Sequence, residues 1–185
     1  MELKLLRRSL QEAKITKFGE YNYFVNPFTD GVPRLPPELL EEVCSAIVEI
    51  ADMNCDVIAT PEAMGIHITT AVSLRTRKPF VVIRKKKYGL EGEGSLTQIT
   101  GYSKSNMYIN DIHPGDRVLL LDNVISTGST LSAIIKAIRS MGGIITDAVV
   151  VVDKGEGKKK VERECGVKVK TLVRVEIKDG RVIVV

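Results

Sequence analysis

Residues 118–130 read Val-Leu-Leu-Leu-Asp-Asn-Val-Ile-Ser-Thr-Gly-Ser-Thr, and a segment with helical apolar periodicity follows from Leu131 to Met141. Four consecutive branched apolar residues predict a strand buried on both faces, hence a parallel strand with helices above and below. Asp122 falls where that strand emerges at its carboxyl end, the edge along which open α/β sheets gather ligands. Gly128 allows the backbone to curl around an anion, and Ser126, Thr127, Ser129 and Thr130 supply hydroxyl donors just where backbone N–H groups open a helix. A helix cap and a turn-forming Asp account for each feature singly. Their succession instead points to a cradle for a phosphomonoester. A Walker A loop is excluded because Ser129, not lysine, follows Gly128.

Strand and helix patterns alternate along the chain, which predicts βαβ units and a mainly parallel sheet. A short strand is expected over 56–59, a turn over 60–65, a helix over 66–76 and a strand over 80–83. Asp147 to Val152 form the next strand, followed by a charged helix to about Glu164. Strands over 167–175 and 181–185 close as a hairpin around Lys178-Asp179-Gly180. Residues 88–110 carry four glycines and no helical period, so they read as an excursion with a hairpin around 99–109, functionally a lid. At 185 residues the chain suits one domain with a single core.

Composition narrows the function classes. The net charge of +4 comes from basic residues interleaved with acids, without finger spacing or an aromatic ladder, so no nucleic-acid partner is expected. The run Arg84-Lys85-Lys86-Lys87 ends a strand and reads as functional, whereas Lys158-Lys159-Lys160 reads as a solvated helix face. Cys44, Cys55 and Cys165 lack metal-ligand spacing, and with two histidines no zinc set assembles. No segment approaches a membrane span and the first residues do not resemble a signal peptide, so the expected location is cytoplasmic.

The stretch 118–130 resembles the signature of the type I phosphoribosyltransferases, in which a hydrophobic strand, an acidic pair and a short Thr/Gly loop hold phosphoribosyl pyrophosphate. The second acid of the pair is Asn123 here, an amide that bonds hydroxyls but brings no charge. Thr60-Pro61-Glu62-Ala63-Met64-Gly65 resembles the pyrophosphate turn of the purine enzymes, and Arg84-Lys85 their basic strand end. Tyr23-Phe24-Val25-Asn26 resembles the base-recognition segment, Tyr102-Ser103-Lys104 a closing loop, and Val-Val-Val-Val-Asp-Lys ending at Lys154 the strand that carries the base-reading lysine. The fullest likeness is to the archaeal hypoxanthine/guanine group; the bacterial xanthine enzymes are also similar.

The resemblance implies a parallel sheet flanked by helices, with a small hood from about residues 1–35 and the C-terminal strands. It implies transfer of the 5-phosphoribosyl group to hypoxanthine or guanine, giving IMP or GMP and pyrophosphate in purine salvage. Asp122 and Asn123 would be catalytic, Ser126 to Thr130 would hold the 5-phosphate, and Glu62, Ala63, Met64, Gly65, Arg84 and Lys85 the pyrophosphate. Tyr102 and Ser103 would belong to the lid, and Asn26, Ile125 and Lys154 to the base pocket. Mg²⁺ would be held through the substrate pyrophosphate, with Asp122 as a candidate ligand. Related enzymes are commonly homodimers. A sensor of phosphoribosyl pyrophosphate that regulates transcription, and an enzyme for adenine or xanthine, are the alternatives.

Overall fold

The computed structural model describes residues 2–18, 21–99 and 104–185. In chain order the elements are α1 (Lys4–Gln11), β1 (Lys14–Phe18), β2 (Tyr21–Val25), α2 (Pro27–Asp30), α3 (Pro37–Ile50), β3 (Val57–Pro61), α4 (Gly65–Thr76) and β4 (Phe80–Ile83). They continue as β5 (Gly94–Ile99), β6 (Lys104–Ile109), β7 (Arg117–Ile125), α5 (Ser129–Ser140), β8 (Ile144–Asp153), α6 (Gly157–Cys165), β9 (Val169–Lys178) and β10 (Arg181–Val184).

Six strands form the central sheet in the order β10-β9-β8-β7-β3-β4, all parallel except β10, which turns back along β9. Alternate residues of the central strands serve two cores. Leu119 and Leu121 of β7 join Ile58 of β3 and Ile68 and Val72 of α4 on one face. Val118 and Leu120 join Ala59 of β3 and Ile134, Ile135 and Ile138 of α5 on the other. Burial on both faces is why these strands read as unbroken apolar runs rather than alternating ones.

From β3 the chain passes outward to β4. It then returns beside β3 as β7 and proceeds the other way through β8 to β9. The winding therefore reverses between β3 and β7, and a crevice opens above their carboxyl ends. The turns after these two strands are Glu62 to Met64 and Ser126 to Gly128, so the fold itself brings the two sequence motifs together.

The sequence placed most elements correctly and shortened several. β3 runs on through Thr60 and Pro61, which had been assigned to the turn, because both are buried in the sheet. α5 begins at Ser129, and β8 begins at Ile144. The excursion is an antiparallel ribbon that starts at Gly94, five residues before the expected hairpin. The ribbon is tied back to the sheet by reciprocal backbone hydrogen bonds between Arg84 and Tyr108, 2.9 and 2.7 Å long. β1 and β2 form a second ribbon, with α1 packed near β10. Among the described residues, no helix is long and apolar enough to cross a membrane.

Candidate functional site

The crevice has a volume of about 290 Å³ and is walled by the ends of β3 and β7, the β2–α2 segment, the start of α5 and Lys154. Asp122, Asn123, Ile125, Ser126, Thr127, Gly128 and Thr130 line it, as do Glu62, Ala63, Met64 and Lys154.

At one end, Gly128 adopts a left-handed conformation with φ of 74° and turns the chain into α5. That turn sets Ser126, Thr127 and Thr130 along the crevice. Ser129 does not line it; its hydroxyl accepts a hydrogen bond from Lys160 Nζ at 2.9 Å. The loop also touches the start of α6. A Cβ on Gly128 would lie 2.4 Å from the carbonyl oxygen of Gly157, and Gly157 N donates to Ser126 O at 2.8 Å. The lysine run 158–160, read from the sequence as a solvated face, therefore includes one residue bonded to the hydroxyl-rich loop. Its signal, a lysine a fixed distance after a glycine-bounded turn, becomes visible only once Gly157 is seen to pack on Gly128.

At the centre, burial pushes the Asp122 carboxyl up to about 7, against the opposing pull of the Asn123 backbone N–H, which donates to Asp122 Oδ1 at 2.7 Å. The Asn123 side chain reaches α2, where its Nδ2 donates to Thr29 O at 3.1 Å. Two other carboxylates border the crevice, and both are engaged. Asp30 accepts from Tyr23 Oη at 2.5 Å, from Asn26 N at 3.0 Å and from Thr29 Oγ1 at 2.6 Å. Glu62 Oε1 accepts from Lys85 N at 2.7 Å, and its Oε2 meets Arg84 Nε at 2.5 Å.

Glu62, Ala63 and Met64 thus face the crevice, while Gly65 lies beneath it. A Cβ on Gly65 would fall 1.9 Å from Thr60 Oγ1, so this position accepts hydrogen alone. Arg84 and Lys85 stand behind Glu62 and outside the crevice lining. Glu62 thus pairs with Arg84.

The other end is aromatic. Lys154 Nζ sits 5.2 Å from the Phe24 ring centroid and 6.0 Å from that of Tyr23. Ile125 lies beside it, and Gln98 from the β5–β6 ribbon closes the rim. Gln98, Tyr23 and Phe24 were not singled out individually by the sequence.

One expectation is corrected outright. Asn26 is fully buried and makes no part of the crevice wall. Its Oδ1 accepts from Phe28 N at 2.8 Å as the N-cap of α2, and its Nδ2 donates to Ser9 O and Oγ at 2.7 and 2.9 Å. With its amide spent on capping and on anchoring α1, it has nothing left to offer a base. Tyr102 and Ser103 lie outside the described residues.

Among the described residues, no three His, Cys, Asp or Glu side chains converge as a metal cage. Since Asp30 and Glu62 are engaged, Asp122 is the crevice carboxylate with acceptor capacity to spare. One such group fits an ion that arrives already chelated by substrate oxygens.

A crevice graded from a hydroxyl-rich loop at a helix start to an aromatic pocket with a lysine, at the switch point of a parallel sheet, defines an α/β protein of the class that binds small molecules there. The comparisons sharpen that class: the sequence profile of the family described as "Phosphoribosyl transferase domain" matches residues 37–180, and the chain belongs to this family. A protein of Methanococcus vannielii named hypoxanthine/guanine phosphoribosyltransferase is 51% identical over 179 residues, 97% of each chain. One of the same name from Methanothermus fervidus is 50% identical over 181 residues, 97% of this chain and 96% of its own. Among solved structures, the adenine phosphoribosyltransferase of Thermoanaerobacter pseudethanolicus superposes with a TM-score of 0.76 at 22% identity, covering 94% of this chain and 99% of its own. That likeness establishes the type I phosphoribosyltransferase fold.

Proposed function

We propose that the protein is a purine-salvage enzyme that transfers the 5-phosphoribosyl group from phosphoribosyl pyrophosphate to hypoxanthine or guanine, releasing pyrophosphate and IMP or GMP. The observation that carries this reading is Lys154, which lines the same crevice as Asp122 and the hydroxyl loop. A lysine donates to the O6 acceptor of a 6-oxopurine and opposes the amino group of adenine. The relatives at about half identity are named for the same substrates.

In this reading Ser126, Thr127, Gly128 and Thr130 hold the 5-phosphate, and Tyr23, Phe24 and Ile125 flank the base. The C1–O bond to pyrophosphate breaks as a purine ring nitrogen bonds C1, and that nitrogen's proton passes to water. Positive charge grows on the ribose as pyrophosphate departs, and the ionised Asp122 carboxylate opposes it while accepting from a ribose hydroxyl. Asp122 would be the protein ligand of a Mg²⁺ ion carried in by substrate oxygens, and that ion would supply neutralisation of the leaving pyrophosphate. Arg84, once it exchanges Glu62 for a phosphate oxygen, serves the same end from the β4 side.

One domain belongs to this reading, with a hood from about residues 1–35 and the C-terminal strands and a lid over residues 88–110. The reading also includes a cytoplasmic homodimer, for which Leu74, 68% exposed on α4, offers apolar surface. The test is nucleotide formation from phosphoribosyl pyrophosphate and Mg²⁺ with hypoxanthine, guanine, xanthine, adenine and orotate offered separately. IMP or GMP formation that disappears in Asp122→Ala supports the reading; AMP as the main product overturns the role of Lys154.

A further inference from the structure

Tyr23 lines the aromatic end of the crevice with its ring centroid 6.0 Å from Lys154 Nζ, yet the ribbon that carries it has little to hold it there. Among the described residues, β1 and β2 hydrogen-bond to each other and to no strand of the central sheet. A two-stranded ribbon by itself is marginal in water, so a side chain on it keeps a fixed place only through an outside tie. Asp30 supplies one. Its Oδ1 accepts from Tyr23 Oη at 2.5 Å, the length of a hydrogen bond from a hydroxyl to a carboxylate.

Asp30 can act as an anchor because its own position is fixed several times over. It is the last residue of α2, and its Oδ2 accepts from Asn26 N at 3.0 Å and from Thr29 Oγ1 at 2.6 Å. α2 in turn is pinned from three sides. Asn123 of β7 donates to Thr29 O, Asn26 reaches Ser9 of α1, and the fully buried Phe28 ring meets His67 of α4 edge to face with centroids 5.4 Å apart. β7 carries Asp122, and α4 follows directly on the Glu62 to Met64 turn. The frame to which Tyr23 is tied is therefore the half of the crevice that is to hold the phosphoribosyl group, and a side chain supported in this way keeps its geometry.

We infer that Asp30 is a positioning residue for base recognition: acting through Tyr23, it sets the aromatic wall at a fixed distance from Lys154, so that a purine lying along that wall brings its O6 edge to the ammonium group. The preference for a 6-oxopurine over adenine then depends on a hydrogen bond that neither base makes. This deepens the purine-transfer reading and rests on it for the identity of the bases.

The test is calorimetric titration of hypoxanthine, of adenine and of ribose 5-phosphate into the unaltered protein, Tyr23→Phe, Asp30→Ala and the double variant, with nucleotide formation measured on the same preparations. Loss of the tie should weaken hypoxanthine about tenfold in Tyr23→Phe and adenine by no more than about twofold, so that the preference between the bases narrows. Ribose 5-phosphate affinity should stay the same. Asp30→Ala should narrow the preference to a similar degree, and adding Tyr23→Phe to it should change little further, because both variants break one bond. An unchanged preference in Tyr23→Phe would overturn the inference. So would strict additivity, which would mean that the Tyr23 hydroxyl meets the base itself, and so would an equal loss of hypoxanthine and ribose 5-phosphate, the mark of a general defect. If Asp30→Ala does not fold, the preference measured in Tyr23→Phe decides alone. A narrowed preference in a protein that forms no nucleotide supports the inference and removes the enzyme reading, and nucleotide formation with an unchanged preference does the reverse. Unaltered protein that binds neither base overturns the inference as well.

Discussion

The side-chain amide of Asn123 donates to the backbone carbonyl of Thr29, so the residue after Asp122 fastens α2 to the end of β7. Asn123→Ala should lower stability by about 1 kcal/mol through loss of that bond. Asn123→Asp should cost more, particularly above pH 7, because it sets a carboxylate oxygen against the Thr29 carbonyl and beside Asp122. Urea denaturation midpoints of the two variants decide the matter: an Asp variant as stable as the parent and more active would mean that the amide is a substitute for the acid and not a fastening.

Asp122 predicts an unusual pH dependence. Its carboxyl is pushed up from 3.8 to about 7 in the folded protein. The folded state therefore holds a proton between these values that the unfolded state has lost, so this contribution favours folding at low pH and disappears as pH rises through about 7. Asp122→Asn, which keeps the acceptor for Asn123 N and cannot ionise, should be inactive yet gain stability over the parent from pH 5 to pH 8, by at most about 4 kcal/mol. Differential scanning calorimetry of the pair across this range measures the gap; a constant gap would refute the buried-acid account. In the active protein, kcat/KM for phosphoribosyl pyrophosphate should rise through a limb near 7 as the carboxylate ionises.

Gly65 makes a paired prediction. Since a Cβ there would overlap Thr60 Oγ1, Gly65→Ala should destabilise by about 1–3 kcal/mol or prevent folding. Thr60 is fully buried and its hydroxyl has no hydrogen-bond partner among the described residues, so Thr60→Ala alone should cost little. The double variant should recover much of the loss, because the next contacts of that Cβ are 3.3 Å to Thr60 Cβ and 3.6 Å to Leu121 O. Thermal melts of the four proteins form a complete cycle, and strict additivity would show that the strain lies elsewhere.

Glu62→Gln keeps the acceptor for Lys85 N and removes the charge that holds Arg84. If Arg84 grips pyrophosphate in place of Glu62, inhibition by pyrophosphate should strengthen by about 2–5-fold, the scale of a partly exposed ion pair. Weaker inhibition would instead assign Glu62 to positioning Arg84.

The parallel core strands and the turn into α5 were legible because each has a local signature: an unbroken apolar run, or hydroxyls and glycine ahead of a helix. What the sequence concealed is contact between distant segments. Asn26 sits in a segment that resembles base recognition, but its neighbour Ser9 consumes the amide, and nothing local to residue 26 announces that. Lys160 looks like its two neighbours in a basic run, and only the seating of α6 distinguishes it. Gln98 reaches the crevice because the ribbon begins at Gly94, a register that four scattered glycines do not specify.

The touching backbones of Gly128 and Gly157 close a ring of chain through α5 and β8, clasped where a single methyl group would not fit. A clasp of this kind cannot be adjusted by exchanging one side chain for another, since neither partner has one. Swapping in a phosphate loop from a relative, or recasting α6, is then a joint operation: a graft must carry both halves of the clasp, and a loop transplanted alone will arrive without the helix that gives it its shape.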